Sequence, residues 1–436
     1  MFEDEELFLE LFKENVLRIL LKRVVAGCRS AMEICMITDT YHPTVDGIVR
    51  YLDYLIPELL RRGHRVTVLC PKIALFDYSH LERPGLTIIP AWTTPFKVNA
   101  YFFAFPNRHF LRALKNSDFV ILHSLMPLGV FGGLLARLFR KKVGLFCHHD
   151  ERVILQKILK LKPSLVRLCF RLIRGFYRKF VQLFFHATER FKRKLLFFGV
   201  EDKQIIRTRF AIDLEKFHPK ATLDLRQRYS IPQNAIVATY LGRLSIEKNV
   251  ETIIRALDIA MSQVPNLFAV IVGTGPDEDK ILQQHRRNNE RFIFTGFVPD
   301  SELQSHYAFS DLFVTPTLNE SSCFTVFEAM ACQTPVITSR KDHDPEIIHL
   351  ENALLINNVL NAHEIANSVL LLANNPKLRT KIALQGYQLI SSFHWQDHCQ
   401  LFLAGLQKHL EIEPIKRPLV RIRRLLRRRS QKCISN

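Results

Sequence analysis

The densest chemistry in this 436-residue sequence lies between Asn319 and Val336, NESSCFTVFEAMACQTPV, where seven residues separate Glu320 from Glu328. The preceding LFVTPT reads as a buried strand. A helix beginning near Phe324–Thr325 would carry Glu328 in its first turns. The free backbone N–H groups at such a helix start form an anion site. A carboxylate at each end of this strand–loop–helix unit can accept hydrogen bonds from two separate sets of hydroxyls, while the helix terminus holds phosphate. A sugar nucleotide presents those groups in that order: sugar hydroxyls, diphosphate, ribose hydroxyls.

A second segment, GRLSIEKN (242–249), follows the strand IVATYLG. Arg243 can engage phosphate oxygens through its planar fork, and Lys248 adds a point charge at the start of the next helix. Together they could offset the charge of a diphosphate leaving group without a metal ion. GTGP (273–276) makes a tight glycine turn at another strand end. His148 follows the strand VGLFC, and its neighbour His149 faces the other way, since strand side chains alternate.

Placing these groups requires strands that end on one edge. EICMIT (33–38) leads through the loop DTYHPTVDG into a helix with Leu52, Leu55, Ile56, Leu59 and Leu60 on one stripe, closed by Gly63. VTVLC, LTIIPAW, FVILHS, VGLFCH and VQLFFHAT follow as strands. After about Pro219 the alternation restarts with IVATYLG, LFAVIVGTG, RFIFTG, LFVTPT, PVITS and ALLI. Short β-branched or aromatic runs alternating with helices predict parallel sheets with helices on both faces. The chain also exceeds the size at which one core stops growing, so two α/β domains with a cleft between them are expected. Ligands in such sheets sit outside the carboxyl ends of the strands. The most apolar window, Phe119–Ala136, is broken by His123, Pro127 and three glycines and reads as strand, loop and helix start rather than a membrane span.

GRLSIEKN, GTGP, the Glu320/Glu328 pair and EAMACQTPV (328–336), in that order, resemble the large retaining family 4 of GT-B glycosyltransferases. ITDTYHPTVDGIVRYL (37–52) is similar to the opening of members that glycosylate lipids such as diacylglycerol, with lipid mannosyltransferases close by. The resemblance runs from about Met32 to about Leu410. It implies two Rossmann-like domains facing across a cleft: an acceptor domain at 32–215, a nucleotide-sugar domain at 216–392, and a helix at 393–412 crossing back to the first domain. Residues 1–31 and 413–436 flank this body. It also implies that Arg243 and Lys248 bind the donor diphosphate, that Glu328 contacts the ribose, and that Glu320 contacts the transferred sugar. Phe324 and Thr325 would offer backbone amides to phosphate, with Gly273 in the same donor site. Gly47 would let backbone approach the phosphates from the other domain. His148 would stand near sugar and acceptor, and Phe297 and Val298 near the base. Asp342 and Asp344 have a metal-like spacing but do not lie where this family would need it, so no metal or cofactor is expected beyond the nucleotide-sugar substrate.

Four places depart from the resemblance, with Cys323, Gln333, Ala211 and the segment DHDPE (342–346) where glycine is usual. A left-handed or close-approach backbone there would be strained without glycine. The implied function is transfer of a hexose from UDP-glucose or a similar donor to a membrane lipid, with retention. The alternatives are a GDP-mannose-dependent transferase and a nucleotide-sugar-binding protein without transfer activity.

Composition bounds the partners. The formal charge is +19, with 47% hydrophobic and 24% charged residues. Such a charge attracts polyanions. From Pro414 to Asn436 there are nine Lys or Arg and no acid. Arg152–Thr188 is likewise acid-free, and both stretches interleave apolar residues, a pattern suited to anionic lipid head groups. No nucleic-acid module is recognisable, so an anionic membrane surface is the expected partner and nucleic acid is not. The nine cysteines are scattered without a CxxC pair, which favours a reducing compartment. The opening MFEDEELFLELF has acids where a secretory leader needs bases. Residues 1–31 read either as an amphipathic helix or as translation from an upstream start before Met32. The expected location is cytoplasmic, peripheral on the inner membrane face.

Overall fold

The computed structural model describes residues 31–44, 46–98, 101–148, 151, 155–156, 161–285, 290–318, 324–340 and 346–411. The readings made for residues 1–30 and 412–436, and for His149, Glu320, Cys323, Asp342 and Asp344, lie outside the described residues.

Two sheets form the body. The first comprises β1 (Glu33–Ile37), β2 (Arg65–Pro71), β3 (Leu86–Val98), β4 (Tyr101–Phe105), β5 (Phe119–Leu122), β6 (Lys142–Phe146), β7 (Leu183–His186) and β8 (Ile205–Arg207). Their spatial order is β4-β3-β2-β1-β5-β6-β7-β8. The second comprises β9 (Ile236–Leu241), β10 (Leu267–Val272), β11 (Phe292–Gly296), β12 (Leu312–Thr315), β13 (Val336–Ser339) and β14 (Leu354–Ile356), in the order β11-β10-β9-β12-β13-β14. Every expected strand is present. The expectation of purely parallel sheets needs one correction: β4 runs antiparallel to β3 at the sheet edge. An edge strand needs a partner on one side only, so a short hairpin serves there without a crossover helix. In each sheet the strand order reverses once, between β1 and β5 and between β9 and β12. Such reversal points open a crevice at the carboxyl ends of the strands.

The helices are α1 (Gly47–Arg61), α2 (Arg108–Asn116), α3 (Pro127–Leu138), α4 (Pro163–Phe180), α5 (Glu189–Phe197), α6 (Leu225–Arg228), α7 (Val250–Gln263), α8 (Glu278–His285), α9 (Leu303–Ala308), α10 (Phe324–Ala331), α11 (Ala362–Ala373), α12 (Pro376–Ser391) and α13 (Trp395–Glu411). Asp46 caps α1, accepting from the Ile48 and Val49 amides at 2.9 Å each. The helix buries Ile48, Leu52, Leu55, Ile56 and Leu59, each side chain contributing about 1.5–3 kcal/mol. It ends as expected at Gly63 (φ +80°), with the Gly63 and His64 amides returning to the Leu60 and Leu59 carbonyls. Phe119–Ala136 folds as β5 and the start of α3, and among the described residues no helix is long and apolar enough to cross a membrane.

α13 is the crossing helix. Trp395 stacks on Tyr54 of α1 with ring centroids 5.0 Å apart, and Phe402 packs on Phe185 of β7 at 4.7 Å. Phe324, opening α10 in the second domain, meets Phe210 at 5.0 Å. One buried apolar cluster therefore runs through both domains beneath the cleft.

Candidate functional site

The loops leaving β9, β10, β11 and β12 are sewn together by backbone hydrogen bonds. The Gly242 amide donates to the Val272 carbonyl (3.0 Å), Leu244 to Thr274 (2.9 Å), Asp277 to Leu244 (3.0 Å), Gly273 to Gly296 (2.9 Å) and Leu318 to Glu247 (3.0 Å). Gly273 is required by this stitching. Its φ is +125°, and a Cβ there would lie 2.1 Å from the Gly242 carbonyl oxygen. On this platform the Arg243 side chain is 39% exposed, with Nη2 3.4 Å from Glu247 Oε1. Lys248 closes the short turn Ile246–Lys248. Asn249 then takes a left-handed conformation (φ +61°), and its side-chain amide donates to the Pro316 and Val359 carbonyls at 3.0 and 2.6 Å. These bonds fix the backbone of the turn carrying the lysine against the segment following β12. Phe297, directly after β11, is 69% exposed, whereas Val298 is partly buried against the core.

The helix expected to begin near Phe324–Thr325 does so, as α10. Phe324 is 7% exposed, and Glu328 is completely buried. Tyr307 donates through its hydroxyl to Glu328 Oε2 at 2.7 Å. The other oxygen, Oε1, receives the guanidinium of Arg50, which comes from α1 in the first domain. The second fork nitrogen of Arg50 donates to Asp300 Oδ1 at 2.6 Å, and Asp300 also pairs with Lys216. Burial works against the charge on Arg50, but Glu328, Tyr307 and Asp300 outweigh it and hold its pKa above the ordinary value.

Of the departures from glycine, Gln333 behaves as expected: it terminates α10 with φ +55°. Ala211 does not. It is fully buried and absent from the left-handed region, so no conformational strain of that kind arises there.

On the facing domain, Gly47 is the first residue of α1, and no atom lies within 4 Å of where its Cβ would stand. His148 is 6% exposed, and its Nε2 lies 3.0 Å from His123 Nδ1. Burial pushes His123 down to about 3, so its ring is neutral at physiological pH. The Phe146 and Tyr51 rings pack against His148, with centroids 4.5 and 5.1 Å away. The Tyr51 hydroxyl lies 2.9 Å from His398 Nε2, while His398 Nδ1 lies 2.7 Å from the Arg209 carbonyl. A carbonyl only accepts, so His398 donates from Nδ1 and accepts from Tyr51 at Nε2. α13 thus helps to hold the aromatic bed under His148.

Arg243, Lys248 and Gly273 share one stitched platform, joined by backbone to the segment that leads toward α10. In the other domain Gly47 opens α1, and His148 stands just beyond the end of β6. Sequence reasoning missed Arg50 and Tyr307, which hold Glu328, Asp300, which anchors Arg50, and Tyr51 and His398 beneath His148. Arg50 lies within the quoted segment ITDTYHPTVDGIVRYL, yet nothing local marks it as a partner for a carboxylate 278 positions away.

Comparison with known proteins adds a family. The model described as glycosyl transferases group 1 matches residues 222–389, and that of glycosyltransferase family 4 matches residues 45–216. An alpha-monoglucosyldiacylglycerol synthase from Streptococcus pneumoniae is 27% identical over 70% of this chain and 70% of its own length. A GDP-mannose-dependent alpha-(1-6)-phosphatidylinositol monomannoside mannosyltransferase from Mycolicibacterium smegmatis is 25% identical over 72% of this chain and 82% of its own. Among solved structures, HepE from Anabaena, in complex with UDP and glucose, superposes with a TM-score of 0.68 at 18% identity, covering 86% of this chain and 99% of that one.

Proposed function

Because the chain belongs to the group 1, family 4 glycosyltransferases and has their GT-B fold, we propose that it moves a hexosyl group from a nucleotide-sugar to a membrane lipid, with UDP-glucose and diacylglycerol as the first pair to test. The observation that carries this reading is the stitched platform holding Arg243 and Lys248 beside the segment leading to α10. Two cations on one rigid platform suit a diphosphate, and fixed cations aimed at a leaving group stabilise the charge that develops as its bond breaks. They supply that stabilisation without a divalent ion. Exposed Phe297 stacks on the base in this reading, with the partly buried Val298 next to it in the chain. Phe324 and Thr325 supply amides to phosphate, Glu320 takes the sugar hydroxyls, and Glu328 takes the ribose. His148 flanks sugar and acceptor.

Transfer proceeds with retention by same-face substitution. The departing phosphate oxygen takes the acceptor proton while Arg243 and Lys248 hold the negative charge. Loss of one such donor typically costs about 3–4 kcal/mol. Lys248→Ala is therefore expected to lower turnover at least tenfold with its thermal melt unchanged, read by mass spectrometry of lipid products across UDP- and GDP-sugars. Near-normal turnover would remove Lys248 from the mechanism. The mycobacterial relative favours GDP-mannose as the second donor, and the same panel decides between the two.

The lipid acceptor and a peripheral position on the cytoplasmic membrane face draw support from α4 and α5. α4 exposes Leu165, Leu168 and Leu172 beside its arginines. Between the two helices Arg167, Arg171, Arg190 and Phe197 line a cavity of about 540 Å³. Basic residues near an anionic surface contribute about 1 kcal/mol each. Co-sedimentation with anionic but not neutral vesicles is the expected result, and equal partition would reject the electrostatic attachment.

A further inference from the structure

Glu328 has no accessible surface, and the group that covers its Oε1 comes from the other domain. Its remaining oxygen is taken by Tyr307, which belongs to the same domain as Glu328. Arg50 is doubly anchored, since its second nitrogen holds Asp300 in the loop that follows Phe297 and Val298. A ribose hydroxyl needs Glu328 Oε1 or Oε2 within about 3 Å. With the domains arranged as they are, the guanidinium fills that approach. Ribose and Arg50 are therefore competing occupants of one carboxylate.

We infer that Arg50 is a donor-gating residue: it plugs the ribose end of the nucleotide site from the opposite domain, and a nucleotide binds by displacing it from Glu328 and Asp300. This rests on the reading of Glu328 as the ribose contact. The plug ties donor entry to the relative position of the domains, because α1 moves with the first domain while Glu328 and Asp300 move with the second. It also tunes selectivity. A ligand that offers no diol to Glu328 does not compensate the lost ion pair, so weakly matched phosphates are turned away.

Removing an ordinary binding residue weakens a ligand, whereas removing a plug tightens it. The test is calorimetric titration of the full-length protein with UDP, and with GDP in parallel because the base is open, using whichever binds more tightly to wild type. Arg50→Met keeps much of the side-chain volume without the charge and is expected to bind the nucleotide at least tenfold more tightly than wild type. Asp300→Asn removes the second anchor and keeps the buried pair intact, so it serves if Arg50→Met folds poorly. It is expected to tighten binding about threefold. Unchanged or weaker binding by whichever of these variants folds overturns the plug. Glu328→Gln, introduced into the Arg50→Met chain where no plug remains, reads the ribose contact alone and is expected to weaken binding at least tenfold. If that step weakens binding while Arg50→Met matched wild type, the plug falls and the ribose reading stands. If it has no effect, the ribose reading falls and takes the plug with it.

Discussion

Gly273→Ala puts the architecture of the donor platform to a direct test. The new methyl would sit 2.1 Å from the Gly242 carbonyl oxygen, where van der Waals contact begins near 3.4 Å. Backbone therefore has to move by roughly 1 Å, and the atom in the way is not a flexible side chain that could swing aside. The φ of +125° adds strain, because L residues reach such conformations at a cost of about 1–3 kcal/mol. The displaced segment also carries the Gly242–Val272 and Gly273–Gly296 hydrogen bonds, each worth about 1 kcal/mol. The sum is about 3–5 kcal/mol, a large share of the 5–15 kcal/mol that holds a typical domain. Two domains need not unfold together, so the assay is urea unfolding followed by hydrogen exchange at the strand ends of the second sheet. Loss of protection there, with the first sheet unaffected, is expected, together with weaker UDP binding as Arg243 shifts. Gly47→Ala is the matched control. Its methyl meets no atom within 4 Å, so the unfolding midpoint should not change, yet transfer should fall at least tenfold if phosphate approaches that backbone. A Gly273→Ala chain with wild-type midpoint and protection would refute the stitched platform, and normal kinetics in Gly47→Ala would refute the phosphate approach.

Gln333→Gly relieves a left-handed residue at the end of α10. The left-handed conformation costs an L residue about 1–2 kcal/mol, against an entropic loss of about 0.5–1 kcal/mol for glycine. A gain of about 0.5–1 kcal/mol is expected, read as a rise in urea midpoint, and a lowered midpoint contradicts it. Stability should fall as pH drops from 6.5 toward 4. Burial pushes His123 down to about 3, and His186 and His398 to about 4. The unfolded chain then binds protons that the folded chain refuses, so the stability these three contribute is complete above pH 6.5 and is lost toward their folded values. At about 1.4 kcal/mol per pKa unit, the combined loss is several kcal/mol. Asp39, which burial pushes up to about 6, opposes part of it, because its folded form takes up a proton first as pH falls. Replacing His186 by Phe should flatten the melting temperature between pH 6.5 and 4.5, whereas an unaltered slope would assign the acid lability elsewhere.

Those predictions rest on two kinds of contact that differ in how far the sequence discloses them. Strand ends were legible because parallel sheets force every carboxyl terminus to one edge. Finding the strands of GRLSIEKN, GTGP and RFIFTG was therefore enough to bring Arg243, Lys248, Gly273 and Phe297 together. The antiparallel β4 was not legible, since YFFAF carries the same apolar signal whichever way it runs. Gln333 and Ala211 divide on the same principle. The residue that closes a helix is commonly forced to positive φ by the hydrogen bonds of the last turn, whatever its type, so the expectation at 333, though drawn from resemblance, has a local geometric cause. At 211 the same resemblance gave the glycine expectation, and the backbone has no left-handed conformation to need it. Arg50 reaches Glu328 and Asp300 through the packing of one domain on another, and no periodicity encodes that. An arginine on the first turn of an amphipathic helix is ordinarily solvated. Only the placement of α10 opposite α1 turns it into the partner of a buried acid. The part of the site most exposed to regulation is thus the part with no local signal, because a contact that domain motion can break has to be made between elements far apart in the chain.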